Sequence, residues 1–581
     1  MKEPIRIANC SGFYGDRLSA AKEMVEGGPI DVLTGDWLAE LTMLILAKTQ
    51  AKHKEAGYAR TFVQQMQQVA ATCIDKSIKV VSNAGGLNPK GCADAVQVLL
   101  DEQGINARVA WIDGDDLMNR LPELKATGNR FEHMDTGEAL GEQDMLTANA
   151  YIGGWGITEA LNRGADIVIT GRTTDAAIVS GAAAWHHGWK PGDYDQLAGA
   201  IVAGHVIECG CQATGGNYSF FKEVPGLEHP GFPIAEIAAD GSTVITKHEN
   251  HGGQVSIGTV TSQLLYEVGA PEYKNPDVIS RFDTIELEEI APNRVRIFGV
   301  RGEPGPDTLK VSMNYNGGWR TVSSMALTGL DIQEKADLYE RALWAQFPKG
   351  KDSFDEVKVE LIPGVSDPRN NEEHVHELRI VVKSNDPKLA GKAFFRAGVE
   401  LGLANYPGTC VLPGSSQVFG VCWPTLIPAK LVTQRLHMGD EVTEISCLPC
   451  KDPAKLVKPS SGPNATLPGG PTRRVPLGLV YGARSGDKAG SANVGVFARS
   501  DEAWAWLEKN LTIEKLQELM PEAREHTVNR YLLPSIRSIN FVFQGLLGEG
   551  VAATTRLDSQ AKGLGEYLRA LEVDLPESLL S

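Results

Sequence analysis

Four short stretches in the first third of the chain concentrate residues that could move a proton or grip an anion. The richest, Thr170-Gly171-Arg172-Thr173-Thr174-Asp175, follows the apolar run Ile167-Val168-Ile169. A turn there needs a glycine, but not also an arginine, two hydroxyls and a carboxylate. The same grammar recurs in Ser11-Gly12-Phe13-Tyr14-Gly15-Asp16-Arg17, in Thr34-Gly35-Asp36 and in Ser82-Asn83-Ala84-Gly85-Gly86-Leu87-Asn88. Gly12, Gly15, Gly35, Gly85, Gly86 and Gly171 let backbone N–H groups approach a ligand. Each loop opens a helix, whose N-terminus favours an anion by roughly 0.3–1 kcal/mol. Asp16, Asp36 and Asp175 are candidates for acid/base work or for a metal, and Asn83 for an enolate oxygen. Arg17 and Arg172, with Thr173, Thr174 and Asn88, suit a carboxylate, a thioester oxygen or a phosphate. Two carboxylates about 4 Å apart at an effective dielectric near 20 repel by about 4 kcal/mol, so one stays protonated near neutral pH. The competing reading is that each Asp caps its own helix, worth about 1 kcal/mol.

The elements that must position these residues follow from hydrophobic period. Apolar runs at 5–8, 30–33, 78–81, 108–112 and 167–169 read as strands, separated by helical segments at 18–26, 37–53, 62–74, 91–103 and 176–185. In the second helix, Leu38, Leu41, Ile45 and Lys48 are spaced for one buried face and its rim. Alternating strands and helices predict an α/β fold with a doubly wound, mostly parallel sheet over 1–190, its loops aligned on the carboxyl edge. From about 191 to 448 the pattern turns to α+β, with antiparallel pairing across the turn Pro292-Asn293 and packing on the first sheet. The proline-rich stretch 449–476 reads as a linker. Residues 477–581 fit a small ferredoxin-like α/β sandwich, with strands expected at 477–481, 493–498 and 536–543.

At 581 residues the chain exceeds a single core. Its net charge of −17 argues against nucleic acid as a partner. No apolar run reaches the ~18–20 residues of a spanning helix, so no membrane partner is expected. The start, Met1-Lys2-Glu3-Pro4, runs straight into a strand, and the cysteines are dispersed and odd in number. Both point to reduced thiols and a cytoplasmic location.

Two further constellations carry polar chemistry. His205-Val206-Ile207-Glu208-Cys209-Gly210-Cys211, with Asn217, His248 and His251 beyond it, contains metal-ligand and thiol types. Its Cys-x-Cys spacing is not that of a usual zinc site, so Glu208, Asn217 and His251 read as the far wall of the pocket. Cys447-Leu448-Pro449-Cys450 lacks a thioredoxin-like setting and reads as structural. Arg484-Ser485-Gly486-Asp487-Lys488 resembles a phosphate-holding nest for coenzyme A without the Walker spacing, and its glycines could equally make a hairpin.

The quoted loops, from Asn9-Cys10-Ser11-Gly12 to Thr170-Gly171-Arg172, resemble the signatures of the acyclic terpene utilisation proteins of AtuA type. The segment Gly482-Ala483-Arg484-Ser485-Gly486-Asp487 resembles that family's C-terminal ferredoxin-like domain. The resemblance implies a catabolic role near acyl-CoA intermediates of branched, isoprenoid-type acids. The expected function is hydratase, lyase or isomerase chemistry on such a thioester or acid, with Asp36 or Asp175 moving the proton and Arg172 holding the acid end. No redox cofactor is expected, coenzyme A enters as part of the substrate, and a homo-oligomer is anticipated. Two alternatives stay open: a phosphoester or phosphoanhydride hydrolase using Mg²⁺, and a non-catalytic assembly partner of a carboxylase or dehydratase.

Overall fold

The computed structural model describes residues 2–450 and 457–580. Strand β1 (Ile5–Asn9) leads through helix α1 (Ala20–Gly27) to β2 (Val32–Gly35). Helices α2 (Glu40–Lys52) and α3 (Arg60–Asp75) then lead to β3 (Lys79–Ser82), and α4 (Pro89–Glu102) to β4 (Val109–Asp113). After α5 (Leu121–Ala126) and β5 (Met145–Ala150) come α6 (Trp155–Asn162), β6 (Ile167–Thr170), α7 (Ala177–His187) and α8 (Tyr194–Ile207). Strands β1 and β2, β2 and β3, β3 and β6, and β6 and β4 pair in parallel. Side chains along them alternate between two cores, as a period of two requires of a sheet buried on both faces. Ala8, Leu33, Val80 and Ile169 join Met24, Phe62 and Val96 on one face. Ile7, Val32, Val81 and Val168 join Ile157, Val179 and Ile201 on the other.

The complete sheet has 11 strands and is mixed. Beyond β1 lie the antiparallel strands β7 (Pro233–Ile237) and β8 (Thr243–Lys247), then Arg294–Phe298 and Glu286–Ala291. Beyond β4 lie Thr433–Met438 and Glu441–Ser446, also antiparallel. The parallel pairs, expected over 1–190, lie at the sheet's centre; the region after 191, expected to pack on this sheet, instead extends it with antiparallel strands, including the pair across the turn Pro292-Asn293. The reason is local: the turn with Gly241 at φ +86° returns the chain directly from β7 to β8, leaving no room for a crossover helix.

Two helix-level expectations also change. Leu41 and Ile45 are each 40% exposed, whereas Met43, Leu44 and Leu46 are buried. Helix α2 begins at Glu40, and Trp37 and Leu38 are buried in the extended segment before it. The expected strand at 477–481 is instead a tight turn, Leu477–Leu479.

The chain divides into two compact units: 1–314 with 423–551 and 560–581, and 315–422 with 552–559. In the first, α7 and α8 share one core although the sequence suggested a boundary at 190. The same unit holds the C-terminal sheet, ordered Gly482–Lys488, Ser491–Phe497, Ser538–Phe543, Val528–Leu533 and antiparallel throughout. Trp504, Leu507 and Leu568 close its core over Phe541 and Phe543. Ser500 caps the helix Asp501–Asn510 by accepting a hydrogen bond from Ala503 N at 3.1 Å. The second unit has its own core, where Tyr339, Trp344, Phe354 and Phe394 meet Leu378 and Ile380. Residues 451–456 of the expected linker, including Lys451 and Lys455, lie outside the described residues. Among the described residues no helix is long and apolar enough to cross a membrane.

Candidate functional site

Because β2, β3 and β6 are parallel neighbours, the residues that follow them stand side by side at the carboxyl edge. Asp36 follows β2 and Asn83 follows β3. Asn83 Nδ2 donates to Asp36 Oδ1 at 2.5 Å, and Asn83 Oδ1 accepts from Trp37 N at 2.9 Å. Leu38 N also donates to Asp36 Oδ1, at 3.1 Å. Burial pushes the Asp36 carboxyl well above its ordinary range, and the nearby charge of Asp175 adds to the effect, outweighing Arg172.

Arg172, after β6, is 2% exposed. Its backbone N donates to Asp115 Oδ2 at 2.8 Å, and Asn149 Nδ2 donates to the same oxygen at 2.8 Å. Burial pushes Asp115 up to about 7 against those two hydrogen bonds. The guanidinium lies 4.1 Å from the centroid of Tyr151 and donates through Nη1 to Asp175 Oδ1 at 2.5 Å and to Thr173 O at 3.0 Å. Lys310 Nζ lies 4.6 Å from the same ring centroid and 3.2 Å from Glu40 Oε1, which also accepts from Tyr151 OH at 2.7 Å. Although burial opposes it, Lys310 and Arg172 hold the Glu40 carboxyl far below the usual range. Glu208, just past α8, stands 3.3 Å from His205 Nδ1; burial and the charge of Asp175 push it well up. The same burial drives His205 down to about 4.

The cluster is buried but not sealed. Side chains of Asp175, Glu40 and Lys310 keep 30%, 28% and 33% of their surface in solvent. Around them are buried polar atoms with no hydrogen-bond partner among the described residues: Arg172 Nε, Thr173 Oγ1, Thr174 Oγ1, Glu208 Oε2 and His205 Nε2. Orphaned atoms of this kind are rare in a folded interior, and several at one place mark where a ligand or water completes the network.

The other residues singled out by sequence lie elsewhere or face protein. Asp16 accepts from its own loop, Gly12 N and Arg17 N, both at 2.9 Å. Arg17 is held by Glu23 at 2.7 Å and by Pro230 O, and lies over Phe232. The His251 ring packs beside His248, 5.4 Å between centroids. Asn88 accepts from Gly91 N at 2.9 Å and so caps α4. Asn217 is an exposed turn residue at φ +57° whose Nδ2 donates to Gln212. The glycines are required by packing against protein: a Cβ on Gly12 would meet Cys209 backbone, on Gly35 the Trp37 ring, on Gly85 the Thr170 carbonyl and on Gly171 the Asp115 carboxylate. Gly15 faces Phe13, and Gly86 faces Leu46 and the Gly57 carbonyl.

Arg484-Ser485-Gly486-Asp487-Lys488 forms one strand of a hairpin with Ser491–Phe497. Arg484 donates to Gln212 Oε1, Ser485 Oγ accepts from Gly565 N at 3.0 Å, and Gly486 packs on Tyr266 and Glu267. Burial pushes Cys211 up to about 12 and Cys447 up to about 11, which fits inert thiols. Among the described residues no three His, Cys, Asp or Glu side chains are placed to hold a metal ion. Sequence reasoning assigned no role to Glu40, Asp115, Tyr151, Lys310 or Glu267. Only Asp115, in the loop after β4, carried a signal of the kind used for the others.

Residues 5–438 match the family model described as acyclic terpene utilisation family protein AtuA, and residues 475–574 match the AtuA ferredoxin-like domain. A search of curated proteins found no match.

Proposed function

The chain belongs to the acyclic terpene utilisation family, and on that premise we propose that it is a catabolic enzyme acting by proton transfer on a branched or isoprenoid acid or its acyl-CoA thioester. The reaction is of the hydratase, lyase or isomerase type. One observation carries the reading: a buried carboxyl, Asp36, held by Asn83 and pushed well above its ordinary range, within electrostatic reach of the ion pair of Arg172 with Asp175. A neutral acid and an ion-paired carboxylate in one pocket are the two partners that proton transfer next to a carbonyl needs. Asp175 takes the proton alpha to the carbonyl in the same step as Asp36 protonates the departing hydroxyl, so exchange at the alpha carbon needs both residues; hydration runs the same transfers backwards. Arg172 Nε and the Thr173 and Thr174 hydroxyls, buried without hydrogen-bond partners among the described residues, take the carbonyl or carboxylate oxygen. Both ends of the Asn83 amide are occupied, so Asn83 positions Asp36 rather than touching substrate.

The test is isotope exchange. Purified protein in D₂O is incubated with methyl-branched enoyl- and hydroxyacyl-CoA thioesters and the corresponding free acids, and deuterium at the alpha carbon is read by mass spectrometry. Exchange with at least one substrate, lost in a folded Asp36→Asn variant, is expected. No exchange across the panel, or equal exchange by the variant, overturns the reading.

A further inference from the structure

Two tyrosine rings in the first unit carry cations in the same way. Tyr151 holds Arg172 at 4.1 Å and Lys310 at 4.6 Å from its centroid. Tyr266, just past helix α9 (Ile257–Leu264), holds Arg484 at 4.3 Å and Lys562 at 5.8 Å. Both cations of the second stack come from the ferredoxin-like domain's part of the chain. Lys488, from the same hairpin strand as Arg484, reaches over to donate to the Glu267 carbonyl at 3.2 Å.

The second stack lacks what the first has. Arg172 is ion-paired with Asp175, but Arg484, only 6% exposed, has a neutral side-chain partner, Gln212, and among the described residues no carboxylate within 4.0 Å. A buried guanidinium without a counter-charge is costly, and an incoming anion removes the cost. Carboxylates do face the region: Glu267, Asp487 and, further out, Glu566, which is engaged by Arg569 at 2.7 Å. Burial and the charge of Asp487 push Glu267 up to about 8, so it is largely uncharged near neutral pH, while Asp487, pushed up to about 6 by burial and the charge of Glu40, is largely ionised there and sets one negative charge against the cations around Tyr266. The two stacks adjoin, because Lys488 lies within the electrostatic reach of both Lys310 and Glu40.

We propose that Arg484, Lys488 and Lys562, arranged about Tyr266, form a second anion subsite that holds phosphate groups, so that the ferredoxin-like domain binds the phosphorylated end of the substrate while Arg172 faces the reacting end. Three cations at one place suit a multiply charged phosphate better than a single carboxylate, which one arginine would satisfy. The inference rests on the proposed reaction only for the placement of the reacting end; binding of phosphate at Tyr266 stands by itself.

The experiment measures binding by calorimetry on the full chain with coenzyme A, pantetheine and pyrophosphate as probes. Wild type is expected to bind coenzyme A and pyrophosphate and to bind pantetheine at least about ten-fold more weakly than coenzyme A. Coenzyme A binding tighter than pyrophosphate identifies a phosphorylated carrier; equal binding identifies a free phosphoanhydride. The exposed double variant Lys488→Gln with Lys562→Gln is expected to lose at least about ten-fold in coenzyme A affinity, with Arg484→Gln losing as much if it folds. Equal affinity for pantetheine and coenzyme A, no binding of either phosphate probe by wild type, or an unchanged double variant overturns the proposal. Proton exchange without phosphate dependence would sink only this subsite, and phosphate dependence without exchange only the reaction proposed above.

Discussion

Asp16 and Asp36 come from loops with one pattern, a glycine followed by an aspartate just after a strand, and the fold gives them opposite environments. The Asp16 carboxylate is spent on its own loop, accepting from Gly12 N and Arg17 N. Asp36 reaches across to the next strand's loop, where Asn83 fixes one oxygen, and it shares its surroundings with Asp175, Arg172 and Glu208. The difference lies in the neighbours. β1 has an antiparallel strand, β7, on its outer side, so the segment entering that strand, Pro230 to Phe232, stands against the Asp16 loop and engages Arg17, whereas β2 has parallel neighbours on both sides. An aspartate corner becomes part of a shared polar cluster where parallel neighbours bring adjacent loops together.

Substitutions can break or sharpen this contrast. The largest effect is expected from Asp36→Asn: alpha-proton exchange should fall by roughly 10²–10⁴-fold with the fold retained by circular dichroism, as for loss of a general acid. A fall of less than about three-fold would place Asp36 with Asp16 as a structural residue.

Next comes Asp115, which carries Arg172 from below. Its folded carboxyl is pushed up to about 7 from an ordinary value near 3.8. The folded state therefore holds this proton more tightly than the unfolded chain. The associated stability is present below about pH 4 and is lost as pH rises toward 7, a difference of about 4 kcal/mol. Urea midpoints of wild type should fall over that window, and the fall should be clearly shallower in Asp115→Asn. Parallel pH profiles for the two proteins would show that Asp115 is not the group titrating.

A smaller change is expected for Arg172→Lys. A lysine can keep the charge beside Asp175 but offers no Nε and no flat face to Tyr151, so KM should rise about ten-fold with less change in kcat. Unchanged KM would remove Arg172 from the substrate-binding surface. The smallest effect belongs to Asp16→Asn: about 1 kcal/mol of stability, read by denaturation, and exchange activity within about two-fold of wild type. A collapse of activity in this variant would erase the distinction drawn between the two corners.

How far the sequence reaches can be judged residue by residue. Asp36, Asn83, Arg172 and Asp175 stand where strand, glycine and polar residue recur in order, and each sits on a short loop that local pattern can locate. Glu40 escaped because it begins a helix whose apolar spacing drew attention to Leu41 and Ile45, two residues that face solvent. Tyr151 and Lys310 carry no local signal. They become neighbours because Tyr151 N bonds to the Lys310 carbonyl at 2.8 Å, between parts of the chain more than 150 residues apart. The glycines were legible as positions but not as reasons: steric contact with Cys209, Trp37, Thr170 and Asp115 explains them, and a sequence contains no record of what a missing Cβ would strike.

By itself, then, the sequence determined the strands and helices of the central sheet, the loops at its carboxyl edge and the family these belong to, because period and turn chemistry act over a few residues. The tertiary structure alone decided that these antiparallel strands join the parallel ones in a single sheet, that Glu40, Tyr151 and Lys310 complete the cluster around Arg172, and that Arg484 is buried with no carboxylate within 4.0 Å among the described residues. Those facts depend on burial and on which distant groups share a few ångströms, and both are properties of the packed chain rather than of any stretch of it.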